Sequence, residues 1–104
     1  MFTTEKRLQL QKLLETLLGT SYVYFQPPAS FKMNYPCIVY QRDYQDNKFA
    51  NNGPYSQTKR YAVTVIDRNP DSEIPDKVAA LPLCAFTRHF TSDNLNHDVY
   101  NLYF

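Results

Sequence analysis

The segment KRYAVTVID at residues 59–67 decides how the rest of the chain is interpreted. Its apolar side chains Tyr61, Val63 and Val65 recur with a period of two, which predicts a β-strand with one apolar face. Upstream, CIVYQRDYQ at residues 37–45 is apolar in its first half and alternating in its second half, so it predicts a second strand. The two strands are expected to pair as an extended central β-hairpin.

The apolar faces of these strands need a cover, and the start of the chain provides one. Residues 3–18 are predicted to form a helix whose leucines recur at the spacing of a single helical face. Gly19 suits the left-handed position that follows a last helical turn. The leucines on that face are Leu10, Leu13, Leu14, Leu17 and Leu18.

Four further elements complete the expected fold. Residues 22–25 favour a short strand, and residues 84–93 and 98–104 favour two more. A short helix is predicted from residue 71 or 72 to about residue 81, with Pro75 tolerated in its first turn. The predicted fold is therefore α+β: an antiparallel or mixed sheet of about five strands, with both helices packed on it, in one domain spanning residues 1–104.

Between the two long strands, residues 46–58 (DNKFANNGPYSQT) are predicted to form a long loop, because NNGP carries turn chemistry. Long loops in compact domains often carry function. Phe49, Asn52 and Tyr55 are therefore candidate contacts with a partner protein. The alternative is a loop tip that contacts nothing.

The sequence closes with two large rings, Tyr103 and Phe104. Tyr100, Leu102 and Phe104 share a period of two, which predicts that the terminal ring is held in the sheet. We expect the last strand to be an edge strand, with one ring inward and the other at a subunit contact, because edge strands invite pairing with another chain. Tyr103 and Phe104 therefore join the candidate interface.

Composition limits the classes of function. The chain has 104 residues, a net charge of +1 and no block of like charge, which argues against a general nucleic-acid or membrane-surface binder. No apolar run approaches the length of a membrane span, and MFTTEKRLQL has no signal-peptide pattern.

Two cysteines are interpreted as buried small hydrophobes in a reducing cytosol. Nine Tyr and seven Phe fit either interfaces or strands.

A catalytic or metal site has one candidate segment, TRHFTSDNLNHD at residues 87–98. Its histidines, His89 and His97, are eight residues apart across an expected turn, unlike the short ligand pairs of zinc sites. Cys37 has no histidine near it in the sequence, and two glycines cannot build a phosphate loop. We therefore predict no catalytic residue, cofactor or metal ligand, which favours a binding or assembly role by elimination.

The segments in order resemble a known family. A leucine-rich helix is followed by a strand that starts at Tyr35-Pro36, a Y-x-V-x-V strand at residues 61–65, DSEIPD at residues 71–76 and FTSDNLNHDVY at residues 90–100. This succession covers nearly the whole chain. It resembles the small tail-terminator, or tail-completion, proteins encoded among the head–tail joining genes of long-tailed phages and prophages.

The resemblance implies a non-enzymatic structural protein of the virion, assembled in the bacterial host cytoplasm. Such proteins form a ring, typically a hexamer, on the last ring of the tail tube, stop its growth and dock it to the head connector. The implied partners are other copies of the chain, the tail tube protein and the connector or neck protein, with no membrane and no specific nucleic acid. Head-closure, neck and minor capsid proteins remain alternatives, as do a small metal-dependent nucleic-acid enzyme and a host-binding adaptor.

Overall fold

A computed structural model describes the backbone of residues 3–50 and 53–104 and the side chains of residues 6–45 and 58–104. Two helices and five strands follow one another along the chain. They are α1 (Thr3–Leu18), β1 (Val23–Phe25), β2 (Cys37–Ala50), β3 (Gly53–Asp67), α2 (Ile74–Ala79), β4 (Cys84–Ser92) and β5 (Leu95–Tyr103).

The five strands form one mixed sheet in the order β1-β2-β3-β5-β4. The short strand β1 runs parallel to β2, and every other neighbouring pair is antiparallel. The predicted α+β fold, with its N-terminal helix, second short helix and extended central hairpin, is confirmed. Within the described residues, no helix has both the length and the apolar character needed to cross a membrane.

Both helices lie on the same face of the sheet. Leu10 and Leu14 of α1 and Val78 of α2 are fully buried in one cluster with the alternating residues of the strands. The Tyr100 hydroxyl donates a hydrogen bond to the Pro75 carbonyl at 3.0 Å, which joins β5 to α2. The strand residues of this core are Val23, Ile38, Tyr40, Tyr61, Val63, Val65, Tyr100 and Leu102.

Gln11 fixes α1 to two strands at once. Its Nε2 donates a hydrogen bond to the Val23 carbonyl at 2.9 Å, and its Oε1 accepts one from the Tyr40 hydroxyl at 2.6 Å. Tyr40 is fully buried, so its hydroxyl needs such a partner inside the protein. Burial raises the pKa of Tyr40, and the nearby Arg7 opposes this rise.

The prediction of a loop over residues 46–58 is wrong. β2 continues to Ala50 and β3 begins at Gly53, with cross-strand pairs as far as the tip of the hairpin. Of the NNGP segment, Gly53 and Pro54 belong to β3, and Asn51 and Asn52 lie outside the described residues. The sequence analysis missed that residues 46–50 and 53–58 form strands. A ribbon that lies beyond the helix layer needs no alternating apolar face, so its sequence lacks the pattern that predicts a strand.

The prediction that the last strand is an edge strand is also wrong. β5 lies between β3 and β4, so β4 occupies the edge. β5 begins at Leu95 instead of residue 98, because the turn uses only Asp93 and Asn94, both with positive φ (54° and 63°). Asn and Asp tolerate this conformation, which a two-residue hairpin turn requires.

Helix α2 is shorter than predicted. It spans Ile74–Ala79, and its N-cap position is Glu73, which makes no side-chain capping bond. The Ser72 hydroxyl still accepts a hydrogen bond from the Ile74 N–H at 3.3 Å. The expected tolerance for Pro75 in the first turn is confirmed.

The first prediction concerns the Gln11 bridge. Gln11→Ala leaves the buried Tyr40 hydroxyl without its acceptor, so the free energy of unfolding should fall by about 1–3 kcal/mol in urea titrations. Tyr40→Phe removes the hydroxyl itself, and the double variant should therefore lose less than the sum of the two single variants.

Gln9→Ala is the matched control, because Gln9 is an exposed glutamine on the same helix. It should change the free energy of unfolding by no more than about 0.5 kcal/mol. Equal losses for Gln9→Ala and Gln11→Ala would contradict the assigned role of Gln11.

Candidate assembly interface

The central hairpin extends beyond the rest of the sheet. β2 and β3 contain 14 and 15 residues, which corresponds to about 46–50 Å of strand. The longest dimension of the molecule is 51 Å, against 24 and 23 Å in the other two directions. β1 pairs with β2 only as far as Tyr40, and β5 pairs with β3 only from Arg60 onward. We call residues 46–50 and 53–58 the arm.

The arm is a two-stranded ribbon in which β2 and β3 pair only with each other among the described strands. Isolated two-stranded ribbons are marginally stable in water. Its outward backbone groups also form a template for a further strand. The arm therefore has the properties of a segment that is completed by contact with another molecule.

A polar and aromatic cluster lies at the root of the arm. Arg60 Nε is 3.0 Å from Asp43 Oδ1, and the guanidinium lies 4.9 Å from the centre of the Tyr44 ring. Arg60 is also the cross-strand partner of Tyr103. The hydrogen bond with the Asp43 carboxylate raises the pKa of Arg60. These contacts orient the point at which the arm leaves the sheet, although an exposed ion pair adds little stability by itself.

The second feature is the edge strand β4, which lies at the side of the sheet away from β1 and whose residues 85–92 are all exposed. No other strand within the described residues pairs with its outer side. A register shift between Phe86 and Arg88 marks a β-bulge, a feature that increases local twist. An exposed edge of this length is a site at which another strand can be added.

Two phenylalanines flank this edge on opposite faces of the sheet. Phe86 is 58% exposed and meets Tyr100 edge-on at 5.6 Å, on the face that carries the helices. Phe90 is 37% exposed and stacks on His97 at 4.5 Å, on the opposite face. The Arg88 guanidinium lies 4.9 Å from the centre of the Phe90 ring. Exposed rings and an arginine at one edge are typical of protein interfaces.

An apolar groove of about 390 Å³ lies beside the start of β4. Leu83, which is 75% exposed, lines it in a left-handed backbone conformation with φ of 58°. Its carbonyl accepts a hydrogen bond from the Tyr103 N–H at 3.1 Å. An exposed leucine in a conformation that costs energy indicates that this backbone is held for a reason other than local preference. Leu13, Leu81 and Phe104 also line the groove.

The five candidate contacts from the sequence lie in different places. Tyr103 lies beside Arg60 at the root of the arm, whereas Phe104 packs against the core and near Lys6, whose Nζ is 5.9 Å from the ring centre. Phe49 belongs to β2 and Tyr55 to β3, but their side chains and the whole of Asn52 lie outside the described residues. Their contacts with a partner stay predictions.

The sequence analysis missed the exposed edge of β4 and the groove at Leu83. Phe86, Arg88 and Phe90 alternate in the sequence, so a regular strand would place them on one face, but the bulge moves Phe86 to the face opposite that of the other two. Pro82, which lies between the end of α2 and Leu83, was the available signal for an unusual backbone at Leu83. No local pattern identified β4 as the edge, because strand order depends on long-range pairing.

The two histidines cannot bind one metal ion together. His89 pairs across the strands with Asp98, and its Nδ1 lies 2.7 Å from Asp98 Oδ1. His97 is stacked on Phe90 on the other face of the sheet. Among the residues that the structure describes, no group of three potential metal ligands converges.

Cys37 does not have the environment of a catalytic thiol. It is fully buried at the start of β2, and burial, with a smaller contribution from the Asp67 charge, raises its pKa to about 12. A thiol must ionise and reach its substrate to act as a nucleophile. Cys84 is partly buried, and burial raises its pKa as well.

Comparison with known proteins adds no relative. No protein-family model matches the chain, and no curated protein is significantly similar to it. The arm, the β4 edge and the groove are therefore the observations on which a function rests.

The second prediction concerns Cys37. In the folded protein at pH 8, a thiol reagent should label Cys84 well before Cys37, because Cys37 is buried. The pKa of Cys37 in the folded protein is raised from 9.0 to about 12, so folding favours the protonated thiol. The stability that depends on this thiol staying protonated is complete below pH 9 and is lost as the pH rises towards 12.

Urea titrations between pH 8 and pH 11 measure this loss. Between pH 8 and pH 11, the free energy of unfolding should fall less in Cys37→Ala than in the matched variant Cys84→Ala. Equal labelling rates of the two cysteines in the folded protein would show that Cys37 is accessible and would contradict this account.

Proposed function

We propose that the protein is a non-enzymatic structural component of the head–tail junction of a long-tailed phage or prophage. In this role, copies of the chain form a ring, a hexamer as in the family it resembles, that caps the tail tube and docks it to the head connector. The resemblance of the ordered sequence segments supports this role. The arm and the free edge of β4 support the assembly on which it depends.

The observation that carries the proposal is the position of the two unpaired features. In the sheet order β1-β2-β3-β5-β4, the outer side of β2, which has no partner strand in the arm among the described residues, and the outer side of β4 face opposite directions. A contact that joins two different patches is heterologous, and repeated heterologous contacts form a closed ring or an open helix. A chain that carries two such different unpaired features, the arm and the β4 edge, suits such a ring.

Capping a tube in this way needs no bond chemistry. A ring seated on the last tube ring covers the surface on which the next tube subunit would add, and its far side is then available to the connector. The sheet face opposite the helices remains for such contacts, because its central row, Val39, Thr64 and Val99, is only partly buried. Apolar side chains left partly exposed on a sheet face, here Val39 and Val99, are suited to a protein partner.

The third prediction removes the arm. Asp46 and Thr58 are cross-strand partners, so joining them through an Asn-Gly turn should preserve the sheet while deleting residues 47–57. Light scattering of the wild-type chain at high concentration should show six 12.2 kDa chains, about 73 kDa. The armless variant should remain at the monomer mass and keep a cooperative unfolding transition.

Leu8→Ala is the control, because Leu8 is an exposed leucine on the helix layer, away from the arm and β4, and it should assemble like the wild type. Function is tested by co-expression with the tail tube protein of the same genome and electron microscopy of tube ends. Wild-type protein at the ends of tubes of uniform length supports the cap. Tubes of uncontrolled length with bare ends would contradict it.

A further inference from the structure

We infer that the outer side of β2 in the arm of one copy adds as a strand to the edge of β4 in the next copy. This inference rests on the proposed ring, since it names the contact that would build the ring. It is testable without a phage tail, because it concerns pairing between copies of this chain.

The backbone of β4 offers free hydrogen-bonding groups at known positions. Ser92 and Leu95 flank the two-residue turn and are cross-strand partners, so they exchange hydrogen bonds, as residues flanking such a turn do. Alternation along an antiparallel pair then directs the backbone groups of Phe90 towards β5 and those of His89 and Thr91 away from it. These outward N–H and C=O groups can accept an added strand.

The arm presents the matching backbone. At the base of the hairpin, β1 uses the outer side of β2: the Ile38 N–H donates to the Tyr22 carbonyl, and the Gln26 N–H donates to the Tyr40 carbonyl, both at 3.0 Å. Beyond Tyr40 the pairing with β1 ends, and β2 continues to Ala50. The arm therefore presents the same side of β2 that already accepts a strand at the base.

The strand that pairs with the β4 edge is the arm of a second copy and not the β4 strand of a second copy. Arg88 is the central residue of Cys84–Ser92. A two-fold antiparallel pairing of β4 with itself, centred on that residue, places two Arg88 side chains opposite each other, which is destabilising. The β2 segment of the arm, residues 46–50, carries no net charge, because Asp46 and Lys48 offset each other, so it avoids this placement of two like charges. Pairing of β4 with itself would also stop at a dimer and leave the arm uncovered.

The experiment uses one variant for each side of the contact. Thr91→Pro blocks the β4 edge, and it loses no internal ladder bond because the Thr91 N–H is directed away from β5. Thr91→Val is its matched control, since it keeps the backbone N–H. The armless variant, with Asp46 joined to Thr58 through Asn-Gly, blocks the other side. Sedimentation velocity with one component fluorescently labelled reports the mass of each species.

We expect Thr91→Pro alone and the armless variant alone to be monomers, and Thr91→Val to assemble like the wild type. A mixture of Thr91→Pro and the armless variant should form a heterodimer of two 12.2 kDa chains, about 24 kDa, because one supplies the arm and the other supplies the β4 edge. The armless variant added to the wild type should shorten its assemblies, since it accepts an arm but offers none. This second measurement does not depend on the folding of Thr91→Pro.

Three outcomes with the variants would overturn the inference. They are self-association of the armless variant, assembly of a folded Thr91→Pro equal to that of Thr91→Val, and a mixture that stays monomeric at concentrations where the wild type assembles. A wild-type chain that stays monomeric at every concentration would also overturn it. The proposed function has its own readout, binding to tube ends, so a cap assembled by other contacts would still be detected there.

Discussion

The hydrogen bonds of Gln11 join α1 to β1 and β2, and the rest of the structure depends on that junction. Gln11 bonds the Val23 carbonyl and the Tyr40 hydroxyl, while the fully buried Leu10 and Leu14 on the same helix pack into the core. A buried hydroxyl and a strand-end carbonyl are thereby satisfied by one side chain. The helix layer is thus held over the base of the hairpin, and the core forms there.

A core confined to the base leaves the hairpin longer than the layer that covers it. Among the described strands, the two strands of the arm pair only with each other, and no strand pairs with the outer side of the edge strand β4. Each feature alone is a liability, because free edges promote indiscriminate pairing. The β4 edge carries features that restrain such pairing, namely the bulge between Phe86 and Arg88 and the charge of Arg88 itself. Together, the arm and the edge suit a chain whose final form includes its neighbours.

Local pattern predicted the parts of the fold that local physics determines. The alternation of Tyr61, Val63 and Val65 reports directly which face is buried, and all three are buried. Of the leucines on the predicted face of α1, Leu10, Leu14 and Leu18 are buried, whereas Leu13 is 37% exposed. The arm was mistaken for a loop because a ribbon beyond the helix layer needs no apolar alternation. The internal position of β5 was missed because strand order depends on contacts between residues far apart in sequence. The candidate site at the β4 edge was missed for the same reason. Tyr103 stood out in the sequence as an aromatic residue near the end, whereas the exposure of β4 follows from the position of β5 between β3 and β4.

Amide hydrogen exchange of the wild-type chain, compared between dilute monomer and concentrated assembly, tests the central claim most directly. Assembly through the β4 edge predicts slower exchange at the backbone amides of His89 and Thr91 and in the arm. The amide of Phe90, which already bonds to β5, should change much less. Assembly without added protection at His89 and Thr91 would contradict the account, because the copies would then associate through a different surface.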